Sequence, residues 1–319
     1  MKKFIINISL FAVLSGSLYL TIFWKIEKTL QHSDYLDYSE WNDIYSGKQA
    51  NEIVIIGSSR ARKMVDPIII SQNDSISVYN LGMEGYKIPF QITKYQIYRK
   101  RNKKPKICIQ IVDHFSLTYR PDLYDIEQFL PYLNDPDLTI QLKKYEGFTW
   151  ADYNLPYFRY FGKSNVILAG FLELIKLKRF ESTGFKGYYP KNTAIWEPAF
   201  DRLKTENPKG ETIKLNQEVV HLMEKFTDKL ADDSIKHIII YAPEYSEFHQ
   251  YIKNRDSISN IYKAIASKHN STYFIDFKDS TICHNKSLFY NPTHLNKNGA
   301  EIFSASINKY LKSLKLLYD

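Results

Sequence analysis

The stretch "EIVIIGSSRA", residues 52–61, decides the fold class of this sequence. Its apolar, β-branched run ends at Gly57, a pattern typical of a strand that is buried on both faces of a parallel sheet. Helix-compatible residues follow directly from Ser59. A buried strand that runs straight into a helix predicts the opening of an α/β fold.

The same alternation continues along the chain. Further strands are predicted at 75–82, 105–112, 236–243 and 271–277, with helices that include 88–101 and 296–316. Right-handed crossovers between parallel strands place all their carboxyl ends on one edge of the sheet. Ligands of such sheets bind outside that edge, so polar residues just after the strands are the candidates for function.

An apolar run of membrane-spanning length opens the chain. Residues 4–24, "FIINISLFAVLSGSLYLTIFW", contain no charged residue and are long enough to cross a hydrocarbon core. A secretory signal peptide would have a shorter apolar stretch, so residues 1–24 are interpreted as a cytoplasmic tip and an uncleaved anchor. Lys2 and Lys3 favour a cytoplasmic N-terminus, which predicts a soluble domain on the extracytoplasmic, periplasmic side.

Beyond the anchor, polar residues 25–50 predict a stalk, and residues 51–319 a single domain. Residues 115–210 are too many for one crossover and predict a mainly helical insertion. The 319 residues include 44% hydrophobic residues, which suffice for a packed core, and the net charge is +8. Because the basic residues are scattered, no nucleic-acid partner is expected. No metal-ligand spacing and no phosphate-binding loop is present, so neither a metal nor a cofactor is expected.

Three blocks that follow predicted strands carry candidate chemistry. "IIGSSRA" presents Ser59 at a helix N-terminus, where backbone N–H groups and the helix dipole favour developing negative charge. "YNLGMEGY" places Gly82 where its N–H can approach an oxyanion. "NPTHLNKNGA" places His294 just before the last helix. Arg60, Arg62 and Lys63 are expected on the exposed side of the first helix, with binding of an anionic substrate as the alternative.

Taken in order, these blocks resemble those of the SGNH/GDSL hydrolase superfamily. The resemblance implies a three-layer αβα, flavodoxin-like fold with a central parallel sheet. It also implies Ser59 as nucleophile, His294 as base and the N–H groups of Ser59 and Gly82 as oxyanion donors. Ser58 occupies the acidic position of the family's Gly-Asp-Ser-like signature. The likeness covers about residues 51–314 and is greatest to membrane-tethered SGNH-like proteins that act on bacterial surface polysaccharides.

Two positions depart from the family pattern. The family places an asparagine after the third strand, whereas this chain has Asp113 and His114, of which His114 can donate a hydrogen bond to an oxyanion. The family's Asp-x-x-His block is replaced by Asn291-x-x-His294. An amide offers no negative charge to an imidazolium, and its NH₂ end can select the wrong tautomer.

Three explanations of Asn291 are open. Ser59 and His294 form a dyad with a backbone carbonyl orienting the ring, or a different carboxylate orients it, or catalysis is lost and the pocket is kept for binding. The candidate carboxylates are Asp276, Glu244 and Asp113.

The resemblance predicts an extracytoplasmic serine esterase or O-acyltransferase that acts on acyl esters, with acetyl esters of a cell-surface glycan as the expected substrate. A small ester is the other expected substrate. The alternative from a different class is a catalytically impaired domain that serves as a glycan-binding or assembly subunit of an export or modification complex.

Overall fold

The computed structural model describes residues 1–35, 37–71, 76–192 and 196–316. Five strands form one parallel sheet in the order β2-β1-β3-β4-β5. Their bounds are β1 Ile53–Gly57, β2 Val78–Asn80, β3 Ile107–Val112, β4 Lys236–Tyr241 and β5 Thr272–Asp276. The predicted α/β class and all five predicted strands are confirmed, although residue 75, the predicted start of the second strand, lies outside the described residues.

Helices flank the sheet, as expected for a three-layer αβα arrangement. The α-helices are α1 Lys2–Leu30, α2 Tyr38–Ser46, α3 Ser59–Met64, α4 Pro67–Ser71, α5 Ile88–Arg101, α6 Pro136–Leu142, α7 Trp150–Asn154, α8 Ser164–Leu174, α9 Ala199–Glu206, α10 Gln217–Asp232, α11 Ser246–Tyr251, α12 Arg255–Ala266 and α13 Lys297–Ser313. Short 3₁₀ turns span Ile126–Tyr132, Phe158–Tyr160, Thr281–His284 and Lys286–Leu288. An antiparallel hairpin, β6 Phe289–Asn291 and β7 His294–Leu295, follows β5.

Isoleucine fills the centre of the sheet. Ile53 of β1 pairs with Val78 on one side and with Ile107 on the other, and each of these side chains is buried. Strands covered on both faces need apolar residues at consecutive positions, which explains the continuous "IVII" of β1. Full burial of each such side chain contributes roughly 1.5–3 kcal/mol of transfer free energy.

The chain divides into two compact units. The N-terminal unit comprises Met1–Ser46 and Pro121–Ser182, and the sheet unit comprises Gly47–Arg120 and Thr183–Asp319. The predicted insertion 115–210 is therefore split, because only its central part belongs to the N-terminal unit.

Residues 25–46 do not form the predicted stalk. Tyr38, Trp41 and Ile44 of α2 are fully buried inside the N-terminal unit. Trp41 contacts Phe129 edge-on with ring centroids 5.6 Å apart, and its Nε1–H donates to the Gln128 side chain at 3.2 Å. The prediction was wrong because the aromatic partners of this segment lie about ninety residues further along the chain.

One described helix, α1, has the length and composition to cross a membrane. It has 29 residues, and its most apolar part has a mean hydropathy of 1.9 with none of that part buried. A membrane anchor and a signal sequence share these properties.

The turn between β1 and α3 requires a glycine. Gly57 has φ 154°, and a Cβ added there would lie 2.8 Å from the carbonyl oxygen of Ile111 and 2.7 Å from Cβ of Ala61. The strand, its neighbour and the helix therefore approach one another more closely than any side chain permits. This contact fixes where the helix begins.

We expect Gly57→Ala to lower the free energy of unfolding by about 1–3 kcal/mol, because the new methyl group meets the carbonyl oxygen of Ile111 and the short side chain of Ala61, neither of which can rotate away. Urea unfolding of the full chain in mild detergent measures the change. Gly16→Ala is the matched control, since a Cβ at Gly16 meets nothing within 4 Å. Equal stability of both variants would contradict the proposed close approach.

Candidate active site

Ser59 stands at the first position of α3. Ser58 caps this helix, and its hydroxyl accepts a hydrogen bond from the N–H of Arg60 at 3.3 Å. The N–H of Ser59 has no acceptor within the helix because the first turn lacks preceding carbonyls. The serine thus combines a side-chain hydroxyl with a backbone donor at the positive end of a helix.

The β6–β7 hairpin brings His294 to this serine. Its Nε2 lies 2.8 Å from Oγ of Ser59, although the two residues are 235 positions apart in the chain. His294 is half-buried, and Tyr290 stacks beside its ring with centroids 5.5 Å apart. The structure therefore joins the hydroxyl and the imidazole that the sequence predicted as a pair.

Asn291 and Thr293 hold the other ring nitrogen. Nδ1 of His294 lies 3.1 Å from Oδ1 of Asn291 and 3.0 Å from Oγ1 of Thr293. The backbone N–H of Thr293 donates to the same Oδ1 at 3.1 Å. A backbone N–H can only donate, so it orients the amide with its oxygen towards the ring. The ring then carries its proton on Nδ1 and presents a lone pair on Nε2 to Ser59.

The surroundings favour a neutral imidazole. Burial, with smaller contributions from the charges of Arg60 and Lys63, lowers the pKa of His294 to about 3. A neutral ring is the form that can accept the proton of a serine hydroxyl. The uncharged amide of Asn291 does little to oppose this shift, whereas a carboxylate at that position would raise the pKa.

The three alternative carboxylates all face other groups. Asp276 accepts two hydrogen bonds from the guanidinium of Arg255, at 2.8 and 2.6 Å. Glu244 and Asp113 both pair with Arg60. The imidazole is therefore oriented by the amide at 291, an arrangement close to the predicted dyad but with a side-chain oxygen in place of a backbone carbonyl. The role of the neighbouring threonine was missed, although a hydroxyl next to a histidine was a readable signal.

Gly82 lies against α3, as its predicted role requires, but its N–H has an intramolecular acceptor. It donates to Oδ1 of Asn80 at 2.8 Å, so an oxyanion would compete with this amide. A Cβ at Gly82 would lie 2.5 Å from the backbone nitrogen of Arg62, which explains the glycine. Asn80 also donates to the carbonyls of Ala61 and Val65 at 2.7 and 2.9 Å. Asn80 was not predicted from the sequence. Its side chain links α3 and the residue after it to the loop that contains Gly82.

Asp113 and His114 do not fit the predicted oxyanion and binding roles. His114 is fully buried, and its Nδ1 lies 2.6 Å from the Glu244 carboxylate. The Asp113 carboxylate is nearly buried, lies 3.4 Å from Nε of Arg60 and accepts from the Ser58 hydroxyl at 3.3 Å. Burial alone would raise the pKa of Asp113, but the Arg60 guanidinium holds it below its usual range.

Glu244 is the centre of a buried ion network under this edge of the sheet. Its side chain is fully buried, accepts from Arg60 and His114, and lies 3.6 Å from Nε of Arg255. Burial by itself would raise the pKa of this carboxyl, but the charges of Arg60, His114 and Arg255 hold it well below its usual range. The network joins residues that follow β1, β3 and β4 to α12.

The cationic residues after Ser59 are less exposed than predicted. Arg60 and Arg62 are buried, and the Arg62 guanidinium lies 4.1 Å from the ring centroid of Tyr189. Lys63 is half-buried and pairs with Glu84. The expectation of an exposed helix face was wrong because it ignored carboxylates and rings supplied by distant strand ends and loops.

No protein-family model and no curated protein matches the chain. Among solved structures, a Streptococcus pneumonia protein provisionally described as a platelet activating factor is 13% identical, with a TM-score of 0.37, over 95% of this chain and 99% of that one.

Two further solved structures are similar to the chain. One is provisionally described as a lipolytic protein of the G-D-S-L family from Desulfitobacterium hafniense, with 12% identity, a TM-score of 0.39, and coverage of 82% of this chain and 99% of that one. The other, provisionally described as an acylhydrolase from Bacteroides fragilis, has 11% identity, a TM-score of 0.35, and coverage of 83% and 87%. At these low TM-scores, the chemistry assigned below rests on this chain's own site.

We expect Glu244→Gln to destabilise the protein by about 3–5 kcal/mol, because two buried guanidiniums lose their shared carboxylate. Thermal or urea unfolding of the full chain measures this loss. The matched control is Glu247→Gln, where the exposed pair with Lys204 contributes at most about 1 kcal/mol. A similar, small effect for both substitutions would contradict the central position of Glu244.

We expect Asn291→Asp to raise the pKa of His294 by at least about one unit, because a carboxylate beside Nδ1 stabilises the imidazolium. NMR titration of ¹³C-labelled histidine rings measures the pKa, with His294→Gln used to assign the signal. Asn270→Asp adds the same charge at an exposed position and should leave the titration unchanged. An unchanged pKa in Asn291→Asp would show that residue 291 does not contact the ring in solution.

Proposed function

We propose that this chain is a membrane-anchored serine enzyme that transfers acyl groups from esters through an acyl-Ser59 intermediate. The observation that carries the proposal is the 2.8 Å contact between Ser59 Oγ and Nε2 of His294, with Nδ1 of the same ring held by Asn291. The nucleophile contacts the base, and the base contacts the group that orients it. This is the arrangement that activates a serine hydroxyl.

In the first step, Ser59 Oγ attacks the acyl carbonyl carbon while Nε2 of His294 takes the hydroxyl proton. The carbonyl oxygen becomes an oxyanion, which the N–H of Ser59 stabilises at the helix N-terminus. The N–H of Gly82 is proposed as the second donor, exchanging its present acceptor Asn80 for the oxyanion. The C–O bond to the leaving alcohol then breaks, and His294 returns the proton to the alkoxide oxygen.

In the second step, the hydroxyl of the acceptor attacks the carbonyl carbon of the acyl-serine while His294 removes its proton. The bond between the acyl carbon and Oγ of Ser59 then breaks, and His294 returns the proton to Oγ, which regenerates the free serine. Water as acceptor makes the reaction an ester hydrolysis, and a sugar hydroxyl makes it an O-acyl transfer. Because Asn291 carries no charge, the imidazolium that forms in either step is stabilised less than in a triad with aspartate. A slow chemical step is therefore expected here.

The proposed substrate is an acetylated glycan outside the cytoplasmic membrane. Support comes from α1, whose length and hydropathy suit an anchor, and from Lys2 and Lys3, which favour a cytoplasmic N-terminus. Exposed aromatic side chains of the N-terminal unit, such as Trp150 and Tyr124, offer flat apolar faces with a polar edge that suit sugar rings.

A second candidate function is a binding or assembly subunit that does not catalyse. It is favoured by two observations: residue 291 supplies no charge to His294, and the N–H of Gly82 already has an acceptor. Under this candidate, a cell with Ser59→Ala keeps its normal level of glycan acetylation.

We expect a fluorophosphonate to label the purified full chain at Ser59, and the chain to hydrolyse aryl acetates. Ser59→Ala should abolish labelling and lower aryl acetate turnover at least about 10³-fold. Ser313→Ala, an exposed serine of α13, is the matched control and should retain both properties. Mass spectrometry of the labelled peptide and stopped-time assays measure them.

Equal labelling of the wild-type chain and Ser59→Ala would overturn the nucleophile assignment. A wild-type chain that neither reacts nor hydrolyses, together with normal glycan acetylation in Ser59→Ala cells, would establish the binding candidate instead.

A further inference from the structure

The N-terminal unit carries an open, basic cleft beside the C-terminal turns of α1. Its volume is ≈ 790 Å³, and Trp24, Leu174 and Leu177 form part of its apolar wall. The charged residues that line it are Lys25, Lys28, Lys176, Lys178 and Arg179, with Glu173 as the one acidic member among the lining residues. The cleft is therefore strongly cationic.

The cleft lies where the apolar part of α1 ends. The apolar, exposed part of the helix ends at Trp24, and Lys25 is the first charged residue after it. Tryptophan and lysine at the end of a span mark the zone of the lipid headgroups. Charged residues on the next helical turn lie about 5 Å further along the axis, still within reach of a phosphate.

Helix α8 packs closely against the C-terminal turns of α1, next to the basic cleft. A Cβ added at Gly170 would lie 2.7 Å from a methyl group of Ile26 and 3.1 Å from Cγ of Leu30. Val166 and Ala169 are buried near this glycine. Small residues thus let the two helices touch, and they fix the height of α8 relative to the end of the apolar span.

The outward face of α8 is apolar. Leu168 and Phe171 are exposed and spaced at i and i+3, which places them on one side of the helix, and Ile175, the residue that follows the helix, is exposed as well. With 11 residues, α8 is too short to span a bilayer. A short helix that buries its small residues and exposes its large apolar ones fits a position in the interfacial layer of the membrane.

Aromatic residues continue this surface. Tyr157 stacks on Phe23 of α1 with ring centroids 6.1 Å apart, and Phe161 is 81% exposed. Exposed aromatic rings near the end of a span are typical of the membrane–water boundary. The aromatic surface therefore begins at Phe23, next to Trp24, which lines the basic cleft.

We propose that the basic cleft binds the phosphate-bearing headgroup of an anionic phospholipid while the outward face of α8 rests in the interfacial layer. This inference is independent of the chemistry at Ser59 but rests on α1 being retained. The end of α1 is built into the fold, since Glu27 is buried and accepts a hydrogen bond from the Tyr160 hydroxyl at 3.2 Å. The lone acidic side chain of the cleft, Glu173, accepts from the N–H of Phe180 at 3.0 Å.

The test uses the full chain purified in mild detergent and mixed with equal amounts of phosphatidylglycerol and phosphatidylcholine. Native mass spectrometry counts the lipids that each variant retains. Each Lys or Arg near an anionic surface contributes roughly a fivefold gain in binding. Combined Lys176→Gln, Lys178→Gln and Arg179→Gln should therefore lower the preference for phosphatidylglycerol at least about tenfold.

Combined Lys209→Gln, Lys214→Gln and Lys225→Gln removes the same charge from exposed positions of the sheet unit and should leave the preference intact. Soluble glycerol phosphate is added in a separate arm and should not displace the lipid. Equal retention of both lipids by the wild-type chain, or the same preference in both triple variants, would overturn the proposal. Full displacement by glycerol phosphate would show that the cleft recognises free phosphate rather than lipid.

Discussion

Parallel pairing of the five strands is the constraint on which the site depends. Because every strand points the same way, the segments that follow β1, β3, β4 and β5 all emerge at one edge of the sheet. Ser59 and His294 are thereby brought into contact across 235 positions of chain. Loop closure over that length costs little more than closure of a short loop, since the entropy grows only with the logarithm of length. The rigid sheet supplies the precision that a flexible loop would lack.

The same edge carries buried charge, and this shapes the chemistry. Burial and the nearby guanidinium of Arg60 both disfavour the imidazolium form of His294. Asn291 aligns the ring without opposing that effect, because it contributes an oxygen but no charge. These surroundings favour the neutral imidazole, and in the proposed mechanism they would stabilise poorly the imidazolium that forms during proton transfer. The proposed reaction would therefore depend mainly on the helix N-terminus and its backbone donors for its rate.

Helix α1 has two parts that differ in burial. Its first part is apolar and exposed, while Ile26, Glu27 and Leu30 near its end are buried in the N-terminal unit. A buried carboxylate needs partners, and Glu27 finds them in Tyr160 and Asn134. The apolar part and the buried part of α1 are thus one continuous helix. The basic cleft and the apolar face of α8 both follow from this continuity.

Local pattern determined the strands, the first and last helices of the sheet unit, the apolar N-terminal helix, and the candidate pair Ser59 and His294. These depend on hydrophobic periodicity and on residues next to strand ends, which a sequence displays directly. Three features were decided only by the tertiary structure. The side chain of Asn80 accepts a hydrogen bond from the N–H of Gly82, and Glu244 pairs with both Arg60 and Arg255. Residues 25–46 pack with residues 121–182 in one compact unit. These features depend on contacts between residues that are far apart in the chain, and local sequence patterns do not identify such contacts.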